Sequence, residues 1–153
     1  MRKAMLLLAF FGLVSLAWAA DPFVGTWKED MSKTKISTGA SLPKSVTAKV
    51  EAKGEGFKWV TDMVLADGQT LHMEWEGKFD GKDYPVKGDQ NTDTYSLKKI
   101  DSNTIVGVDK KAGKEVGNWR YVVSKDGKTV TATGKFKNEK GQEITVTSVS
   151  EKQ

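Results

Sequence analysis

The sequence predicts an all-β protein, an antiparallel up-and-down meander closed into a barrel of about 8–10 strands. Three observations support this. Beyond residue 20 no stretch sustains an apolar period of 3.6, the signature of an amphipathic helix. Instead, runs of about 8–11 residues alternate apolar with polar, as half-buried strands do. Between the runs lie Gly-containing turns such as Ala66-Asp67-Gly68 and Lys125-Asp126-Gly127. An open meander would leave two unpaired edges, and closure removes them.

The first residues have a different character. Arg2 and Lys3 precede an apolar run from Ala4 to Leu16, and Ala17-Trp18-Ala19 places small residues at the two positions a signal peptidase inspects. The run is shorter than the ~20 residues a membrane span requires. Residues 1–19 are expected to be a cleaved signal peptide and 20–153 a single barrel domain. The mature chain would be periplasmic or extracellular, with no membrane span left after cleavage. With no cysteine in the sequence, disulfides and thiolate chemistry are excluded. Loss of Arg2 and Lys3 leaves 22 basic residues against 20 acidic, a net charge of +2, with lysines beside acids as in Lys28-Glu29 and Asp109-Lys110. That pattern is a solvated surface rather than a nucleic-acid footprint, and a monomer is expected.

In order, the strands are expected at Phe23–Lys28, Ser45–Ala52, Gly56–Leu65, Gln69–Phe79, Thr92–Ile100, Thr104–Lys110, Lys114–Ser124, Lys128–Lys137 and Gln142–Glu151. Glu29–Lys44 holds too few apolar residues for a strand and reads as a loop with at most a helical turn. Asp80–Asn91, rich in Gly and Asp around Tyr84-Pro85-Val86, reads as a long rim loop. Turn chemistry sets the register. A three-residue loop at Ala66-Asp67-Gly68, with Gly68 left-handed, puts Phe57, Trp59, Met63, Leu65, Leu71, Met73, Trp75 and Phe79 on one inner face. Lys58, Asp62, His72, Glu74 and Glu76 take the outer face, and a one-residue slip would invert every side chain. The same loop form at Lys111-Ala112-Gly113, Lys125-Asp126-Gly127 and Glu139-Lys140-Gly141 gathers Val108, Val116, Val122, Val130, Ala132, Phe136, Ile144 and Val146 on one face. A two-residue turn at Ser102-Asn103 brings Tyr95 and Leu97 inward beside Val106 and Val108.

Phe23-Val24-Gly25-Thr26-Trp27 resembles the Gly-x-Trp signature that opens the first strand in the lipocalin and fatty-acid-binding-protein (calycin) superfamily. Longer blocks are similar to small secreted bacterial lipocalin-like proteins without a defined function. They are Gly25-Thr26-Trp27-Lys28, Asp80-Gly81-Lys82-Asp83-Tyr84-Pro85, Val123-Ser124-Lys125-Asp126-Gly127-Lys128-Thr129 and Glu151-Lys152-Gln153. The resemblance implies a lipocalin-like barrel whose closed end is plugged by Trp27, a structural role. Fatty-acid-binding proteins also place a helix-turn-helix lid between the first two strands, whereas Glu29–Lys44 shows no amphipathic helix pair.

The inner wall supplies the candidate site. Trp59, Met63, Met73, Trp75, Tyr95 and Leu97 would line a pocket for a small hydrophobic or amphipathic ligand. Parity adds Asn118 and Arg120 to that face, where an unpaired guanidinium is costly to bury. Two roles are open to Arg120: stacking on Trp27 as scaffold, or anchoring a ligand carboxylate or phosphate. Trp119 and Tyr121 fall on the outer face, as a cross-strand cluster or as a contact patch for a partner. His72, Glu74 and Glu76 have metal-ligand chemistry, yet alternate positions set their heads about 7 Å apart. Asp89, Asn91 and Asp93 lack the Gly and distal Glu of a calcium loop. No metal, cofactor or catalytic residue is expected, since the sequence holds no nucleophile elbow, phosphate-binding loop or dinucleotide fingerprint. These features point to a non-enzymatic binding protein. The other reading is an envelope or extracellular protein-interaction module with a filled core.

Overall fold

The structure, a computed structural model, describes residues 20–37, 41–137 and 141–153. The expected signal peptide with its cleavage site, and Glu139-Lys140 of one expected turn, lie outside the described residues. The strands are β1 (Gly25–Glu29), β2 (Lys35–Ile36), β3 (Ser45–Lys53), β4 (Gly56–Val64), β5 (Thr70–Gly77), β6 (Asp80–Lys87), β7 (Thr94–Asp101), β8 (Thr104–Lys111), β9 (Lys114–Val123), β10 (Thr129–Lys137) and β11 (Glu143–Lys152). Each pairs antiparallel with its neighbour in the order β1-β3-β4-β5-β6-β7-β8-β9-β10-β11, and β1 pairs β11 to close a ten-stranded barrel. The two-residue β2 extends the same edge of β11, through Val146↔Ile36, that β1 occupies through Trp27↔Lys152. No helix is present among the described residues.

The β4–β5 hairpin has the register its turn dictates. Gly68 has φ +92°, the Leu65 N–H donates to Gln69 O at 2.8 Å, and Trp59 pairs Trp75. Along β3, Val46, Ala48 and Val50 pair Met63, Thr61 and Trp59, so they share the inner face. The barrel is plugged at the end where the chain enters. Phe23, Val50, Trp27, Trp75, Leu97, Ile105 and Val123 are buried there, with Ile105 fully inaccessible. Trp27 donates its indole N–H to Phe23 O at 2.9 Å, and Phe79 stacks on Phe57 at 4.1 Å between ring centroids.

Two expectations about chain path are corrected. The segment read as a rim loop is largely the strand β6. Pro85 within it argues against a central strand because it has no N–H to give. Here β6 meets β5 only through Glu74↔Lys87 and Trp75↔Val86, and Val86 donates to Asp93 O on the other side. The proline nitrogen thus faces the side where the ladder is already open. The remainder, 88–93, forms the β6–β7 turn.

The second correction concerns β8 and β9. The turn at Ser102-Asn103 is the two-residue one expected, with Asp101 opposite Thr104, but the register shifts between Lys99 and Asp101. This bulge at Ile100 inverts β8, so Ile105, Gly107 and Asp109 face inward and Val106 and Val108 face out. β9 follows with Trp119 and Tyr121 inside and Asn118, Arg120 and Val122 outside. The next loop then undoes the inversion. It holds 125–128, four residues rather than three, with Ser124 N–H donating to Thr129 O at 2.8 Å and Val123 paired with Val130. Consequently Val130, Ala132, Phe136, Ile144 and Val146 face inward as expected.

Candidate functional site

Burial along the inner wall is graded. At the plugged end the side chains are wholly covered. Trp59, Tyr95 and Tyr121 pack on that cluster and are half-buried. Beyond them Met63, Leu71, Met73, Trp119 and Phe136 face the other end of the barrel, also half-buried. β4 and β9 lie on opposite walls of the ten-stranded barrel, yet the Trp59 and Tyr121 rings approach to 5.2 Å between centroids. They form a floor across the barrel, and the inward side chains above it are half-buried.

Of the residues expected to hold a ligand, Trp75 and Leu97 lie in the buried cluster below this floor. Trp59 and Tyr95 form its edge, and Met63 and Met73 stand on the wall above it. Asn118 and Arg120 do not join them. Both are exposed on the outer face of β9, opposite Lys135 and Thr133 of β10, so Arg120 neither reaches the interior nor stacks on Trp27. The cation over Trp27 is Lys152, with Nζ 5.0 Å from the ring centroid. The reason is the Ile100 bulge, which the alternation of apolar residues does not reveal.

Trp119, Tyr121 and Asp109 are the site residues that sequence reasoning missed. Trp119 stacks on Tyr121 at 6.0 Å and on Phe136 at 6.4 Å, and its indole N–H donates to Asp109 Oδ2 at 2.8 Å. Three inward glycines make room. A Cβ at Gly134 would sit 2.4 Å from Trp119 Cζ3, one at Gly107 would sit 2.7 Å from Leu97 Cδ2, and one at Gly117 would sit 3.1 Å from Phe136 Cβ. Glycine inside a strand marks such close approaches, and it was the available signal for which face is inner.

The electrostatics of this upper half are acidic. Burial pushes the Asp109 carboxyl up to about 6; the Trp119 hydrogen bond opposes this, while Asp89 and Glu115 add to it. Burial also raises the Tyr121 phenol, reinforced by the Asp109 charge. Tyr95 is raised by burial and by its hydroxyl donating to Asp89 Oδ2 at 2.7 Å. Glu29, also raised by burial, is held by the Thr34 hydroxyl at 2.5 Å.

The other expected constellations have ordinary partners. His72 lies on the outer face between Asp62 at 2.6 Å and Glu74 at 3.1 Å, which raise its pKa, Asp62 more strongly. Glu76 pairs with Lys53 at 2.7 Å, and no metal-holding group of three His, Asp or Glu is present among the described residues. Asp89 Oδ1 accepts from the Asn91 N–H, and Asp93 accepts from Lys111 Nζ and the Ala112 N–H.

No family model matches this chain, and no curated protein matches it. Among solved structures it is similar to zebrafish ileal bile acid-binding protein in complex with cholic acid. That similarity has a TM-score of 0.52 at 10% sequence identity, over 86% of this chain and 99% of the other. At that identity the likeness concerns the fold alone. The chain thus has the closed antiparallel ten-stranded barrel of the lipocalin and fatty-acid-binding-protein type.

Proposed function

We propose that this is an exported, monomeric, non-enzymatic binding protein that holds a small, mostly apolar molecule in the half of its barrel above the floor. The observation behind this is the burial gradient: covered side chains below the Trp59–Tyr121 floor, half-buried Met63, Leu71, Met73, Trp119 and Phe136 above it. A protein that needed only a core would gain by covering those side chains too, at about 25 cal/mol per Å². Methionines and aromatics on a half-buried inner face suit an apolar ligand of loosely defined shape. The similar fold of a bile-acid-binding protein supports the reading by analogy. Export rests on the three-part leader in residues 1–19, and amino-terminal sequencing of protein recovered outside the cytoplasm is expected to begin at Ala20.

A neutral solvatochromic dye such as Nile red tests the pocket. One saturable site is expected, weakened by Met63→Glu on the inner wall and unaffected by Val108→Lys on the outer wall. Binding lost with Val108→Lys but retained with Met63→Glu would instead support the second reading, an interaction module. One observation favours that alternative. A shallow groove of about 460 Å³ on the outer wall is lined by Val106, Val108, Asn118, Arg120, Thr133 and Lys135, beside exposed Val122. The groove is open to solvent, whereas the rings and methionines cluster on the half-buried inner face, so the inner site is preferred.

A further inference from the structure

Charge inside the barrel is neutralised at one end only. Near the plug, inward Lys99 of β7 pairs with Asp21 and lies 5.8 Å from the Phe23 ring centroid. Above the floor, Asp109 has no lysine or arginine within ion-pair distance among the described residues. One of its oxygens accepts from Trp119 Nε1, and no donor among the described residues reaches the other. The Tyr121 hydroxyl, on a half-buried side chain, likewise has no hydrogen-bond partner among the described residues. Asp89 from the β6–β7 turn and Glu115 from the start of β9 add negative potential, and neither forms an ion pair among the described residues.

A carboxylate serving only to hold Trp119 would be needlessly expensive, because asparagine offers the same acceptor oxygen without a charge to desolvate. The rings of Trp59, Tyr121 and Trp119 bound the same space, and their faces attract a cation. The Asp109 carboxylate, with the charges of Asp89 and Glu115 nearby, opposes an anion. A single carboxylate beside an indole N–H is also a poor metal site, since a bound metal needs several oxygen or nitrogen donors.

Deepening the binding reading above, on which this rests, we infer that the ligand carries a cationic ammonium head on an apolar body, with the head on Asp109 against the Trp119 and Tyr121 rings. The tail then runs over Met73 and Met63 on the opposite wall. Groups facing Asp109 are Tyr95 on β7, Asp89 in the β6–β7 turn, Trp119 and Tyr121 on β9 and Phe136 on β10; Glu115, exposed and bonded to outer-face Asn118, acts on it through its charge alone. None is a cation, so protonation of Asp109 removes the counter-charge, and affinity for an ammonium falls as pH drops through the titration of this carboxyl.

Calorimetric titration with octylammonium, octanol and octanoate, which share one tail, tests this at pH 8 and pH 5. At pH 8 octylammonium is expected to bind about tenfold or more tighter than octanol, and octanoate more weakly than octanol. Asp109→Asn is expected to erase the preference for the ammonium over octanol. Wild-type affinity for octylammonium is expected to fall about tenfold between pH 8 and pH 5, an arm that needs no variant. Octanol binding with no preference for the ammonium, or a preference that survives in Asp109→Asn, would overturn the head-group assignment and leave the ligand site standing. If none of the three binds, the ligand site itself falls, and this inference with it.

Discussion

At Asp109 stability and the proposed function pull apart. A carboxyl held at about 6, above its unfolded value, binds its proton more tightly in the folded chain than in the unfolded one. Its contribution therefore weakens the fold as pH rises from about 4 to about 6, and the penalty stays constant above that. At roughly 1.4 kcal/mol per unit, the penalty at neutral pH is about 2–3 kcal/mol. Asp109→Asn keeps an acceptor for Trp119 Nε1 and removes the charge. Denaturant unfolding should show the variant more stable than wild type by about that amount at pH 8 and equal to it near pH 4. A variant less stable at pH 8 would mean that the charge is matched by a cation. The Lys99–Asp21 pair near the plug is the contrasting case, a charge given its partner by the fold.

At the scale of strands, the parity of β8 and β9 decides which of their residues face the barrel interior. Gly134→Ala puts a methyl 2.4 Å from the Trp119 ring, which Tyr121, Phe136 and Asp109 hold in place. The ring has nowhere to go, and a loss of about 1–3 kcal/mol in unfolding free energy is expected. Arg120→Ala on the exposed outer face should change stability by no more than about 0.5 kcal/mol. The reverse ranking would put Arg120 inside and Trp119 outside. The same strands show what was legible in advance. The β4–β5 hairpin was readable because Gly68 sits at positive φ in a loop whose length fixes the pairing, so Trp59, Met63 and Met73 were placed on the correct face. The Ile100 bulge and the four-residue turn 125–128 leave apolar alternation intact while changing parity, and valines at 106, 108 and 122 made the wrong face of β8–β9 look like a core. Gly107, Gly117 and Gly134 held the correcting signal, because a strand glycine belongs opposite something large. β6 was missed for a different reason: Pro85 and its Gly- and Asp-rich flanks argue for a loop unless the neighbouring ladder is already open.

For the molecule as a whole, the plugged end holds the buried core, and the other end carries the half-buried rings and methionines of the proposed site. The four tryptophans of residues 20–153 divide between them. Trp27 donates to Phe23 O and Trp75 to Tyr95 O, below the floor, while Trp59 forms the floor and Trp119 stands above it on Asp109. That division makes the indole N–H signals of nitrogen-15-labelled protein a direct reporter of where a ligand sits. Octanol, which carries no charge, keeps the result independent of the head-group question. On titration the Trp59 and Trp119 indole signals should shift in a saturable manner, while Trp27 and Trp75 hold their positions. Shifts confined to the backbone signals of Val106, Val108 and Arg120, with all four indoles unmoved, would place the ligand on the outer wall and contradict an interior site.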